Sequence, residues 1–173
     1  MNETASESAP AMDFSNLDRT RVLIGGIAAV LLILSVLFFP WYDLTDNETR
    51  ATDDWLCGVG ETSCTGWETF PILGPLLILS AIAPLILAYI LVRGHKLSWA
   101  PGEMTMVVGF TAMVLIAYNG ILDRPAPEGT EFGIGLSWGY WIALLCSITI
   151  AMVGFLRSLE SGGRQKRKAP GTV

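Results

Sequence analysis

Four long blocks without a charged residue constrain the fold of this chain more than any other feature. They occupy residues 22–39, 72–92, 104–122 and 136–156 and are eighteen to twenty-one residues long. A helix rises about 1.5 Å per residue, so each block is long enough to cross the roughly 30 Å hydrocarbon layer of a bilayer. Inside lipid the backbone groups must bond within their own segment, which makes each span a helix.

The blocks lack the pattern of helices in a soluble bundle, where each helix keeps a polar stripe toward water. Hydrophobic residues make up 51% of the chain, and its mean hydropathy is +0.49. The first block is also too long for a cleaved signal peptide, and no small-residue cleavage site follows it. We therefore predict an all-α membrane protein, a bundle of four transmembrane helices that span about 22–42, 72–92, 104–122 and 136–156.

The distribution of basic residues predicts the orientation of this bundle. Nine of the eleven Lys and Arg residues flank helix ends on one side: Arg19, Arg21, Arg93, Lys96, Arg157, Arg164, Lys166, Arg167 and Lys168. Only Arg50 and Arg124 fall on the other side. By the positive-inside rule, both termini are cytoplasmic and the larger first outer loop, residues 43–70, is outside. We expect a multi-pass protein of the plasma membrane, the inner membrane of a bacterium.

Polar segments flank the membrane domain, which we place at residues 22–157. Residues 1–21 are acidic and rich in Ser and Ala, a composition typical of a flexible segment. Residues 158–173 form a basic tail containing "RQKRK", which we also expect to be flexible.

Tryptophans and small residues predict how the helices sit and pack. Tryptophans near helix ends are typical interface anchors, and we assign this role to four of them: Trp41, Trp99, Trp138 and Trp141. Small residues let helices approach closely in lipid. The candidates are Gly25 and Ala29 in the first span and Ala143, Ser147 and Ala151 in the fourth. Packing inside the bundle is favoured, but contact with another subunit is the open alternative.

Two cysteines lie in the first outer loop, in the segment "DDWLCGVGETSCTGWETF". Cys57 and Cys64 face an oxidising compartment in the predicted topology, where such a pair forms a disulfide. Closing so small a ring stabilises the loop by about 2–3 kcal/mol. A redox-active pair is the alternative, but such pairs are usually Cys-x-x-Cys, and six residues separate these two. Cys146 lies within the fourth span and has no predicted partner.

The sequence predicts no catalytic, cofactor or metal site. Ion-coupled carriers keep charged residues inside the membrane, and none of the four blocks contains one. Two outer cysteines and a single cytoplasmic His95 do not supply the four ligands of a zinc site. We therefore expect no enzyme, no cofactor and no nucleic-acid partner. The predicted outer side carries ten Asp and Glu residues, and whether this acidic outer face binds cations is left open.

Four short motifs resemble a known group of proteins. They are "LFFPWYDL" after the first span, "GWETF" before the second, "LDRPAP" after the third and "SWGYWIALL" at the fourth. This set is similar to a family of uncharacterised four-helix membrane proteins common in actinobacteria, and the resemblance implies a four-helix fold but no activity. A looser likeness to claudins rests on Trp41 and on Trp55, Cys57 and Cys64. The closer cysteine spacing departs from claudins, so this likeness implies topology only.

The absence of catalytic chemistry favours a structural or accessory interaction module of the cell envelope. In this hypothesis the protein contacts the lipid bilayer and binds a protein partner or a second copy through its outer loops or its fourth helix. The first alternative is a small channel or transport facilitator, whose polar path would use Ser80, Tyr89, Thr111 and Asn119. The second is a membrane thiol oxidoreductase, which would need a Cys-x-x-Cys and a second outer cysteine pair.

Overall fold

The computed structural model describes residues 14–44, 62–92, 101–122 and 134–165, with side chains at 20–44, 62–90, 102–122 and 134–160. Its helices are α1 (Phe14–Phe38), α2 (Gly66–Thr69), α3 (Leu73–Val92), α4 (Pro101–Ala117) and α5 (Trp138–Gln165). A π-helical turn, Tyr118–Leu122, extends α4. Three strands complete the fold: β1 (Pro40–Leu44), β2 (Ser63–Thr65) and β3 (Ile134–Leu136).

Four helices are long and apolar enough to cross a membrane, which confirms this part of the predicted fold. The segments are Thr20–Phe38, Leu73–Ile90, Gly102–Leu122 and Trp138–Glu160. The orientation of the termini stays a prediction. Two helices extend beyond the predicted membrane domain. Helix α1 begins at Phe14, inside the segment expected to be flexible, and α5 continues to Gln165, inside the predicted tail.

The four long helices pack in a ring. Helix α1 contacts α3 and α5, and α4 contacts the same two helices. Large aliphatic side chains fill the centre, among them Leu32, Leu77, Ile116 and Ile150, which are at most 1% exposed. Other large apolar side chains are exposed on the outside of all four helices. An apolar exterior of this extent suits contact with lipid rather than with water.

The closest helix contact is between α4 and α5, along three glycines that we call the glycine seam: Gly102, Gly109 and Gly154. A Cβ added at Gly109 would lie 2.4 Å from the backbone nitrogen of Ala151, and one at Gly154 would lie 2.2 Å from that of Met106. Only glycine permits backbones to approach this closely. The small-residue pattern of the sequence predicts Ala151 as a packing residue but does not predict the three glycines.

The other predicted packing residues also face the interior of the bundle. Ala29, Ala143 and Ser147 are fully buried. Gly25 is buried on α1, where an added Cβ would lie 3.3 Å from a side-chain methyl of Val153 on α5. These positions therefore bring α1 and α5 together within the chain.

The first span ends earlier than expected, and the fold is not purely helical. The prediction placed this span at 22–42, but α1 stops at Phe38 and β1 follows it directly. Pro40 disfavours helical backbone in the residue before it, which explains the stop. Strand β1 is the centre of a three-stranded antiparallel sheet with the order β2-β1-β3. Tyr42 in β1 pairs with Cys64 on one side and Leu136 on the other.

Candidate functional site

The sheet covers one end of the bundle, which the predicted topology places outside, and after that prediction we call this region the outer cap. It comprises β1, β2, β3, the short helix α2 and the π-helical turn. Strand β1 follows α1, β2 and α2 precede α3, and β3 precedes α5, so these elements lie where the long helices start or stop. Two segments outside the described residues join here. Residues 45–61, within the predicted first outer loop, connect β1 to β2, and residues 123–133, which the same topology predicts as a second outer loop, connect the π-helical turn to β3.

Trp41 is the centre of the outer cap rather than a lipid anchor. Its side chain is 0% exposed, and its indole N–H donates a hydrogen bond to the carbonyl of Ser35 at 3.0 Å. The ring meets Tyr140 edge-on at 5.9 Å between centroids. A Cβ at Gly66 would lie 2.7 Å from the indole, so glycine is needed under the ring. The predicted anchor role is wrong for Trp41, because β1 turns over the bundle end instead of continuing the helix.

Two buried tyrosines bind the end of α4 to the rest of the outer cap. The hydroxyl of Tyr42 donates to the carbonyl of Asn119 at 3.1 Å, and that of Tyr140 donates to Ile116 at 3.2 Å. The last carbonyls of a helix lack partners within the helix, and the Tyr42 hydroxyl satisfies one of them at Asn119. The Tyr140 hydroxyl connects α5 to the same helix one turn earlier. A Cβ at Gly120 would lie 2.1 Å from the ring of Tyr140, which requires glycine in the π-helical turn.

The motif "GWETF" forms α2 through a capping box. The backbone nitrogen of Thr65 donates to the carboxylate of Glu68 at 3.0 Å, and the nitrogen of Glu68 donates to the Thr65 hydroxyl at 3.3 Å. Such reciprocal bonds satisfy two donors that the first turn leaves without partners. The following residue, Phe70, meets Trp41 and Tyr42 edge-on at 6.5 and 6.0 Å. The motif therefore connects β2 to the aromatic core of the outer cap.

Of the three cysteines, two lie in the part of the chain that the structure describes. Cys64 is fully buried in β2 and is bonded in a disulfide. Its predicted partner, Cys57, lies outside the described residues, so their pairing stays a prediction. Cys146 is a free thiol buried on α5. Reactive cysteines are usually accessible, and Cys64 is not.

The remaining tryptophans differ from Trp41 in exposure. Trp138 and Trp141, at the start of α5, are 54% and 50% exposed, as a ring at the headgroup level would be. Trp138 also lies 4.6 Å from the ring of Phe39. Trp99 lies outside the described residues. Trp67 on α2, which was not assigned as an anchor, is exposed as well.

The four polar residues suggested for a channel path lie in different surroundings. Asn119 is in the outer cap, where its side-chain amide donates to the carbonyl of Leu115 at 2.9 Å. Tyr89 is exposed near the opposite end of α3. Ser80 and Thr111 donate to carbonyls of their own helices at 2.7 and 2.8 Å, and Thr111 is exposed. Both hydroxyls therefore donate within their own helix rather than to a neighbouring helix.

Within the described ranges, no group of three or more His, Cys, Asp or Glu side chains is arranged to hold a metal ion. No family profile matches the chain, and no curated protein or solved structure similar to it was found. The resemblance to the actinobacterial four-helix family therefore remains an interpretation of the four motifs. The outer cap combines the sheet, the capping box and the buried aromatic side chains of the described structure. It is therefore our candidate functional site.

Proposed function

We propose that this protein is a non-enzymatic interaction module of the bacterial plasma membrane, and that its outer cap presents two loops to a protein partner or a second copy. One observation carries the proposal: both loops converge on Leu44. The first loop leaves from Leu44 and returns at Thr62, whose carbonyl accepts a hydrogen bond from the Leu44 nitrogen at 3.0 Å. The second loop returns at Ile134, which pairs with Leu44 across the sheet.

Convergence on one strand gives the two loops a common, fixed base. The ends of the first loop are adjacent in the sheet, and the return point of the second loop lies on the other side of β1. Holding loop ends in place reduces the conformational entropy that binding would otherwise remove. A scaffold that positions surface loops is a common arrangement for recognition. In this proposal the two loops together form the surface that binds the partner.

The hydrogen bonds of the outer cap support a scaffolding role. The side chains of Trp41, Tyr42 and Tyr140 each donate to a backbone carbonyl, and the Ser35 hydroxyl donates to Gly139 at 2.7 Å. Each bond joins segments that are distant in the chain or stabilises the end of a helix. These groups hold the cap together, which suits a protein that displays loops.

The predicted topology is tested with a membrane-impermeant thiol reagent on intact cells. The excess of basic residues predicts that the first outer loop is outside, so the reagent should label Cys57, whereas Cys64 is buried in β2 and should not react in the folded protein. It should do so only after reduction, because the two are predicted to be bonded to each other. Cys146 should stay unlabelled because it is buried in α5. Labelling only after the cells are opened would invert the topology, and labelling without reductant would refute the disulfide.

The interaction role is tested by cross-linking in native membranes. Residues 46–60 are replaced by a Gly/Ser linker of equal length, and the matched control replaces residues 94–99 between α3 and α4 in the same way. The outer replacement should abolish a cross-link that the wild-type protein and the inner control both form. A wild-type protein that forms no cross-linked species and elutes as a monodisperse monomer would contradict the proposal.

A further inference from the structure

Exposed apolar side chains surround the bundle where the long helices meet the outer cap. One such side chain lies at the cap end of each long helix, and we call the four of them the rim: Phe38, Ile72, Leu122 and Trp138. They are 68%, 79%, 77% and 54% exposed, in that order. The first three are the most exposed large hydrophobic side chains in the part of the chain that the structure describes. The highest apolar exposure therefore lies at one end of the bundle, on all of its helices.

The distribution of the rim indicates what covers it. The four long helices are arranged in a ring, and each contributes one member of the rim. A partner helix or a second copy packs against one side of such a bundle, whereas lipid contacts all sides of it. Contact of these side chains with water on every side would be unfavourable. A surrounding lipid layer therefore fits this distribution better than a protein partner does.

The lengths of the helices place the rim at the edge of a hydrocarbon layer. Between the rim and the first charged residue at the other end of the bundle, the four helices carry no charge over residues 22–38, 72–92, 104–122 and 138–156. These stretches are about 26–32 Å long at a rise of 1.5 Å per residue. The hydrocarbon layer of a bilayer is roughly 30 Å thick. A layer that begins at the charged ends therefore reaches the rim and stops there.

Exposed charges begin just beyond the rim. Asp43 in β1 and Glu68 in α2 are both exposed, and each lies four or five positions from a member of the rim. Trp138 of the rim pairs with Phe39, with 4.6 Å between the ring centroids. Aromatic rings between an apolar exterior and charged residues are typical of the headgroup level of a membrane.

We infer that the rim lies in the headgroup region of one leaflet and that phospholipid is its partner, so that the outer cap rests on the bilayer instead of standing clear of it. This requires that the four long helices span a membrane. It depends neither on which side of the membrane the cap faces nor on what binds the two loops. Ile72 and Leu122, which no sequence motif identifies, are then membrane-interface residues.

Photo-cross-linking tests whether lipid covers the rim. The photoreactive amino acid p-benzoylphenylalanine replaces Ile72 or Leu122 in the full-length protein, which is reconstituted in vesicles of palmitoyl-oleoyl phosphatidylethanolamine and phosphatidylglycerol. The positive control carries it at Val114, an exposed position near the middle of α4. The matched control carries it at Asp43, which is also exposed but lies in the central strand of the sheet, between β2 and β3.

Positions 72, 122 and 114 should form adducts with the mass of a phospholipid, and the yield at position 43 should be lower by about tenfold. An adduct at 114 without one at 72 or 122 would place the rim in water and overturn the inference. Equal yields at 43 and at the rim would overturn it, as would a cross-link from 72 or 122 to a second polypeptide. No adduct at 114 would contradict the spanning of α4, on which the inference depends.

Fluorescence quenching measures the level of the rim without a photoreactive residue. The emission of Trp138 and Trp141 is obtained as the difference between the wild-type protein and the double variant Trp138→Phe/Trp141→Phe, in vesicles that contain a brominated phospholipid. Bromines near the headgroup should quench this emission about twice as strongly as bromines near the end of the acyl chain. Equal quenching by both lipids, stronger quenching by the deep bromines, or no quenching by either would overturn the inference.

Discussion

Replacing Gly154 by alanine tests the glycine seam. The added Cβ would lie 2.2 Å from the backbone nitrogen of Met106 and 2.7 Å from its Cα. Ordinary contact with a Cβ begins at about 3.4 Å, so α4 and α5 must separate by about 1 Å at this point. A gap of that size removes a quarter to a half of each dispersion contact across the seam. Neither helix can relieve the overlap by moving a flexible side chain, because the obstructing atoms belong to the backbone.

The expected magnitude follows from two opposing terms. Overpacking of this kind costs about 1–3 kcal/mol, whereas glycine to alanine inside a helix gains up to about 1 kcal/mol. We therefore expect Gly154→Ala to lower the free energy of unfolding by about 1–2 kcal/mol. The matched control is Gly26→Ala, which gains the same helix term but meets only Leu85 at 3.9 Å. It should leave the free energy of unfolding unchanged or raise it.

The assay is unfolding of the purified protein in mixed micelles by increasing mole fractions of sodium dodecyl sulfate, followed by far-UV circular dichroism. The difference between the two variants is the informative quantity, because the helix term is common to both. Equal free energies of unfolding for Gly154→Ala and Gly26→Ala, within about 0.5 kcal/mol, would refute the direct backbone contact between α4 and α5.

Three further predictions use the same assay. Tyr140→Phe removes the hydroxyl that donates to the carbonyl of Ile116 and should lower the free energy of unfolding by about 1 kcal/mol. The control Tyr118→Phe, at an exposed position, should leave it almost unchanged. Equal effects of the two variants would contradict the hydrogen bond between Tyr140 and Ile116. Gly120→Ala places a methyl group against the ring of Tyr140 and should destabilise by more than Tyr140→Phe does. Glu160→Gln removes the ion pair between α1 and α5. Because that pair is partly exposed, the free energy of unfolding should fall by less than about 1 kcal/mol. The difference from wild type should become smaller still in high salt.

The burial of Trp41 shows why its role was misjudged from the sequence. A tryptophan at the end of an apolar block has the pattern of an interface anchor, and Trp138 and Trp141 fit that pattern in the structure. Trp41 differs because Pro40 stops the helix and directs the chain across the end of the bundle. Its ring is then covered by α2 and Tyr140, which are 25 and 99 positions later in the chain. No local pattern records such distant neighbours.

The glycine seam was missed for a related reason. Gly25 and Ala29 are four residues apart, and the small residues of α5 repeat at the same spacing, so both sets are visible as a motif. Gly102 and Gly109 are seven residues apart on α4 and do not form such a motif. Their role depends on which face of α5 passes them, and this is a property of the packed pair.

By itself, the sequence determined the number and the helical nature of the four segments that are apolar enough to cross a membrane. Each is a local property, because lipid forces a backbone of about twenty apolar residues to satisfy its own hydrogen bonds. Only the tertiary structure decided that three short segments form a sheet, that β1 buries Trp41, and that Thr62 and Ile134, where the two predicted outer loops end, both meet Leu44. Strands of three to five residues carry little periodicity of their own. Their pairing comes from partners far away in the chain, and these meet only once the helices have packed.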